Sequence, residues 1–154
     1  LKKNYQNNFQ LRISENFKKQ IEKSDKLKNL NINFIKENLN HKLHIKEITN
    51  CDIILLPYQM PDYKYRTSGL FFETISMNKI TLITSGTLMA EDLKKFNLQS
   101  LSISRWKNIS FKKILNLLNN KKINKNLLKF SNYYNKINGI KPFTNKLLNV
   151  CDCL

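Results

Sequence analysis

The stretch Cys51–Glu73, CDIILLPYQMPDYKYRTSGLFFE, decides how the rest of the chain is read. Asp52 to Leu56 is a short, almost wholly apolar run that Pro57 stops. Strands of a parallel sheet have this character because helices cover both of their faces. Proline has no amide to donate to a ladder, so the strand ends there. A ten-residue loop follows, Pro57 to Arg66, holding two prolines and three tyrosines. Thr67-Ser68-Gly69 then opens a helix predicted over Ser68–Met77. In open α/β sheets, ligands bind outside the carboxyl ends of the strands, where loops lead into helices.

Working outward, strands and helices alternate. Upstream, Phe9–Ile13 alternates apolar and polar as a strand does, and Ser14 is a hydroxyl cap for a helix over Glu15–Lys28. Ile32–Ile35 is a short strand and Asn40–Ile48 a helix. Downstream, Asn78-Lys79 is a turn, and Ile80–Thr84 is a buried strand rich in β-branched residues. Ser85-Gly86-Thr87 leads into a helix over Leu88–Phe96, and Leu101–Ser104 is a last strand. Helices are expected from Ser110 to Leu118 and over Ile123–Ile137. Gly139 would close the second in a left-handed cap, and Pro142 would start a final short helix. This order predicts βαβ units in a Rossmann-like, three-layer α/β domain with a mostly parallel sheet.

The chain has 154 residues, 41% of them apolar, which is one domain's worth with a real core. It is therefore expected to be a single domain over 1–154, with basic C-terminal helices over 108–154. Because it begins at Leu1 rather than Met, it is expected to be part of something longer. No apolar run approaches the ~20 residues of a membrane span, and no signal-peptide pattern is present. Cys51, Cys151 and Cys153 suit a reducing compartment better than a disulfide framework, so a cytoplasmic location is expected, with peripheral membrane contact as an alternative that the charge pattern opens. Cys151-Asp152-Cys153 lacks a second pair, and His41 and His44 lack a third ligand. No metal is expected.

The formal net charge of +16 points first to nucleic acid, but its distribution does not. Residues 1–50 carry 11 Lys and Arg against 5 Asp and Glu; residues 51–100 carry 5 against 5; residues 101–154 carry 11 against 1. The motif-rich middle is neutral. Solvated helix faces account for the flanks, and the abundance of Asn, Lys and Ile is that of an AT-rich coding sequence. The alternative is attraction of the C-terminal helices to anionic lipid headgroups. Nucleic acid ranks below both, since aromatic and basic residues are not interleaved in a known module.

Two of only three glycines, Gly69 and Gly86, lie between a strand and a helix. Glycine there allows backbone amides to approach a ligand, and a helix N-terminus favours a phosphate. Thr67 and Ser68 add hydroxyls, and Arg66 can pair with an anionic oxygen. A tight turn without a ligand explains either glycine alone. Glu73 lies one turn into a helix expected to be mostly buried. It can reach back toward sugar hydroxyls, or simply favour the helix dipole.

The segment LLPYQMPDYKYRTSGLFFETISMNKITLITSGTLMAEDL resembles the donor-binding half of GT-B glycosyltransferases. The matching residues are Asp52, Leu56, Pro57, Tyr58, Tyr65, Arg66, Ser68, Gly69, Glu73, Gly86 and Thr87. The likeness covers about half of the chain closely. It implies a metal-free transfer of sugar from a nucleotide diphosphate sugar, in cell-surface glycan synthesis. It implies that Thr67, Ser68, Gly69, Gly86 and Thr87 hold the donor and its diphosphate. Arg66 would stabilise the leaving group, Glu73 would bind ribose, and Tyr58 and Tyr65 would line the site. Many relatives carry a second glutamate eight residues before the first, where this chain has Tyr65. The family's acceptor domain is missing, as are the first strand and helix of its donor domain, so this chain alone is expected to be inactive. The rival readings are a non-catalytic α/β remnant, or a subunit that pairs with a separate acceptor domain.

Overall fold

The computed structural model of the protein describes residues 10–23 and 31–138. They form an α/β structure in which every strand pairing is parallel. The chain divides into two compact units, residues 1–45 and residues 46–154.

In the first unit, β1 (Leu11–Ser14) pairs with β2 (Ile32–Ile35), from Leu11 beside Ile32 to Ser14 beside Ile35. The helix predicted over Glu15–Lys28 begins as a 3-10 turn, Glu15–Phe17, and continues as α1, Lys18–Glu22. Ser14 does cap it, but its hydroxyl takes the amide of Asn16, two residues on, which tightens the first turn. Residues 24–28 of that prediction lie outside the described residues. None of the described residues of this unit is buried. Helix α2 (His41–Thr49) runs across the division between residues 45 and 46 and starts at Asn40, whose side chain accepts from the Leu43 amide.

The second unit holds the core. Its three-stranded sheet has the order β3 (Ile53–Leu56), β4 (Ile80–Thr84), β5 (Ser102–Ile103). Helix α3 (Gly69–Ser76) connects β3 to β4, and α4 (Leu88–Lys95) connects β4 to β5. The central strand is buried on both faces from Ile80 to Ile83, in keeping with its mostly β-branched sequence, in which Thr81 alone of the four brings a polar group. Phe71, Thr74 and Ile75 of α3 repeat at helical spacing and are fully buried. Thr74 and Thr81 join helix to strand by a buried hydroxyl bond of 2.7 Å. Both α3 and α4 end on a left-handed asparagine, Asn78 (φ 57°) and Asn97 (φ 55°). The next amides, Lys79 and Leu98, reach back to the carbonyls of Thr74 and Leu93 at 2.9 Å, a Schellman closure with asparagine in glycine's usual place.

The strand predicted over Leu101–Ser104 is only two residues long. Residues Gln99–Leu101 close as a 3-10 turn, which buries both Leu98 and Leu101 completely. Helices α5 (Phe111–Leu118) and α6 (Lys121–Asn138) follow. The latter starts two residues before its predicted boundary because the Asn120 side chain accepts from the amides of Lys122 and Ile123. Helix α6 packs on α3 through Phe130 against Phe71 and Tyr134 against Phe72, and it also stacks Phe130 on Phe96. Gly139, the predicted helix at Pro142, and the CxC cysteines lie outside the described residues. Among the described residues, no helix is long and apolar enough to cross a membrane.

Candidate functional site

Parallel pairing brings the ends of β3, β4 and β5 to one edge of the second unit's sheet. Three connections leave that edge: Pro57–Ser68 into α3, Ser85–Thr87 into α4, and Ser104–Arg105 into a 3-10 turn at Trp106–Asn108. Ser68 and Thr87 cap their helices, accepting from the amides of Phe71 and Ala90 at 3.3 Å each. Both are buried, because each hydroxyl sits under the turn that it closes.

The Pro57–Arg66 loop folds across this edge. The Tyr58 hydroxyl lies 2.6 Å from the Ser68 hydroxyl. Burial raises the Tyr58 phenol above its ordinary pKa, partly countered by the bond to Ser68. Its ring stacks on Tyr63 at 4.0 Å, and the Arg66 guanidinium sits 6.0 Å over the same Tyr63 ring. The Tyr63 carbonyl accepts the Leu88 amide, an otherwise open donor in the first turn of α4, at 3.2 Å. The loop is thus tied to both helix starts.

The predicted residues fare differently. Arg66, Thr67 and Gly69 are exposed on the α3 side, and a Cβ placed on Gly69 would meet nothing within 4 Å. Gly86 takes φ +82°, a conformation that favours glycine, and a Cβ there would lie 3.2 Å from the Met60 methyl. Thr87 is 1% exposed; its hydroxyl also donates to the Thr84 carbonyl at 2.9 Å. It is a structural cap with no surface toward a ligand. Tyr65 is 79% exposed, with the Lys64 ammonium 5.1 Å from its ring centre.

Glu73 is exposed, against the expectation of burial. It lies two residues after Phe71 and two before Ile75, roughly 200° round the helix from each, on the side away from the sheet. There it neighbours α6. Burial is the main cause of the raised pKa of Tyr134, and the Glu73 charge adds to it.

Three residues at the edge are not among those predicted: Met60, whose methyl sits beside Gly86; Tyr63, which joins the loop to α4; and Trp106, whose indole donates to the Thr84 hydroxyl at 3.0 Å. The position of Trp106 just after the last strand was the signal available for it. A separate open crevice of about 330 Å³ lies in the first unit, lined by Glu15, Asn16, Lys36, Glu37 and Asn38. Glu37 there accepts from the Ser14 hydroxyl and the Asn16 side-chain amide. It also follows the carboxyl ends of parallel strands, but none of the predicted residues belongs to it. Among the described residues, no group of three or more His, Cys, Asp or Glu could hold a metal. Compared with known proteins, the chain matches no family model, no curated protein and no solved structure.

Proposed function

We propose that residues 46–154 form the donor-binding part of a glycosyltransferase that takes a nucleotide diphosphate sugar. The observation that carries this reading is the α3 start: an exposed, unobstructed Gly69 with Arg66 and Thr67 beside it, at the carboxyl edge of a parallel sheet. Helix amides and a guanidinium at such a place suit a diphosphate. Their contribution to transfer would be stabilisation of the charge that develops on the leaving diphosphate. The acceptor would be supplied by a separate domain or chain. Glu73, exposed on the α6 side of α3, would bind the ribose.

A specific observation favours a second reading. Tyr58 occupies the Ser68 hydroxyl, and Met60 lies over Gly86. These contacts suit a non-catalytic α/β subunit, in which both turns serve the fold alone.

Calorimetry with UDP, GDP and inorganic pyrophosphate separates the two readings. The donor reading expects one nucleotide to bind more tightly than pyrophosphate. It expects Arg66→Ala to weaken that binding about tenfold, the loss of one charge-assisted contact. It also expects Glu73→Ala to weaken the nucleotide but not pyrophosphate. Absence of binding by all three ligands leaves the subunit reading.

A further inference from the structure

Between Leu101 and Asn138 the chain carries nine Lys and Arg and no Asp or Glu. Five of the nine are lysines of α6, and all five are exposed. Ile123, Leu127, Phe130 and Ser131 turn the opposite face of this helix into the core. Lys122, Lys125, Lys129 and Lys136 follow one another at separations of three, four and seven residues. Those separations set them in one row about 21 Å long on the solvent side. On α4, by contrast, each lysine has an acid one turn before it: Lys94 lies 4.0 Å from Glu91, and Lys95 lies 2.7 Å from Asp92. The α6 row has no such neighbour in its own helix. Like charges at these spacings destabilise an isolated helix, so the row costs stability that packing of the other face must offset.

We infer that this face of α6 is a docking surface for an anionic lipid bilayer. Charge complementarity identifies an anionic partner, and two features favour lipid over nucleic acid. The cations of the row are all lysine: mobile point charges that suit a diffuse layer of headgroups, without the fork that arginine offers to single phosphates. The row is also flanked by two large side chains left in water, Leu128 at 49% and Tyr133 at 55% exposure. A headgroup layer accepts such side chains, and tyrosine in particular gathers there. A duplex backbone offers them nothing. The inference is independent of the donor reading, since it uses none of the residues at the sheet edge.

Co-sedimentation with vesicles tests it, using phosphatidylcholine alone and an equal mixture with phosphatidylglycerol. The chain should bind the mixed vesicles at low salt, leave them at high salt, and ignore the neutral ones. Replacing Lys122, Lys125, Lys129 and Lys136 by Gln, which keeps helix propensity, should weaken binding at least tenfold, about fivefold per lysine being the low-salt ceiling. Circular dichroism checks that this variant is folded. Leu128→Asn should weaken vesicle binding a few-fold and leave binding to an arbitrary DNA duplex unchanged. Three results would overturn the inference: no binding to mixed vesicles, full binding by the four-lysine variant, or tighter binding to the duplex than to vesicles at matched salt with Leu128→Asn without effect.

Discussion

The two strand-to-helix turns of the second unit look alike in sequence, yet they are built differently. Each has a hydroxyl residue next to a glycine: Ser68-Gly69 and Gly86-Thr87. In the β4–α4 turn the glycine precedes the cap, adopts a left-handed backbone and, though exposed, has the Met60 methyl where a side chain would go, while the cap is sealed. In the β3–α3 turn the glycine follows the cap as the first helical residue, with open space where a side chain would go. One turn needs its glycine to fold. The other does not, which leaves its glycine available for something besides folding.

This contrast can be broken in order of expected effect. Thr87→Val takes the hydroxyl donor from the Thr84 carbonyl and leaves the Ala90 amide only its 3.0 Å bond to the Thr87 carbonyl, at a residue that is 1% exposed, and should cost about 2 kcal/mol in urea unfolding. Ser68→Ala removes the cap on the Phe71 amide and the partner of the half-buried Tyr58 hydroxyl, at a place more open to water, and should cost about 1 kcal/mol. Equal losses would mean that the caps are equivalent and the contrast is wrong. The glycines should differ in sign. Gly86→Ala forces an L-residue to positive φ and should destabilise by about 1–2 kcal/mol. Gly69→Ala should be neutral or stabilise by up to about 0.5 kcal/mol, because alanine suits a helix better and meets no neighbour. If that stabilised variant loses nucleotide binding, close backbone approach explains Gly69; if it binds as before, the glycine has no role there.

The smallest effect is pH-dependent. The folded state holds the Tyr58 phenol above its ordinary pKa, so it favours the protonated form. That preference is fully present below the unfolded-state value near 10 and is lost as pH rises through the folded-state value. Tyr58→Phe should therefore lose less stability than the wild type on going above pH 10, visible as a smaller drop in melting temperature. An unchanged alkaline drop would show that burial does not hold this phenol in its protonated form.

Where the chain announces a boundary chemically, the sequence was readable. ITLIT lies between a turn and a glycine, and its strand spans the predicted residues. INFI does the same. The Ser14 cap is readable because a serine just before a helix favours that use, whereas Ser68 and Thr87, read as ligand hydroxyls, are helix caps in the structure. The failures share a cause. Distance along the helix suggests a buried Glu73, whereas its angle round the helix decides its exposure. The neighbours of Leu101 suggest a strand, but burying Leu98 beside it requires a tight turn. The position of Met60 over Gly86 follows from how a ten-residue loop folds over the sheet edge, and no local pattern encodes that.

One carbonyl has a wider consequence. The last residue of α3, Ser76, accepts from the Ser131 hydroxyl at 2.9 Å and from the Asn135 amide at 3.1 Å, both on α6. These bonds, with the Phe72–Tyr134 stack, leave the outer helix little freedom to roll or slide against its neighbour. Whatever grips the lysine row thereby fixes the bearing of α3 as well, and with it the direction in which Gly69 looks out. A tether at one end of the unit would act as a compass for the other.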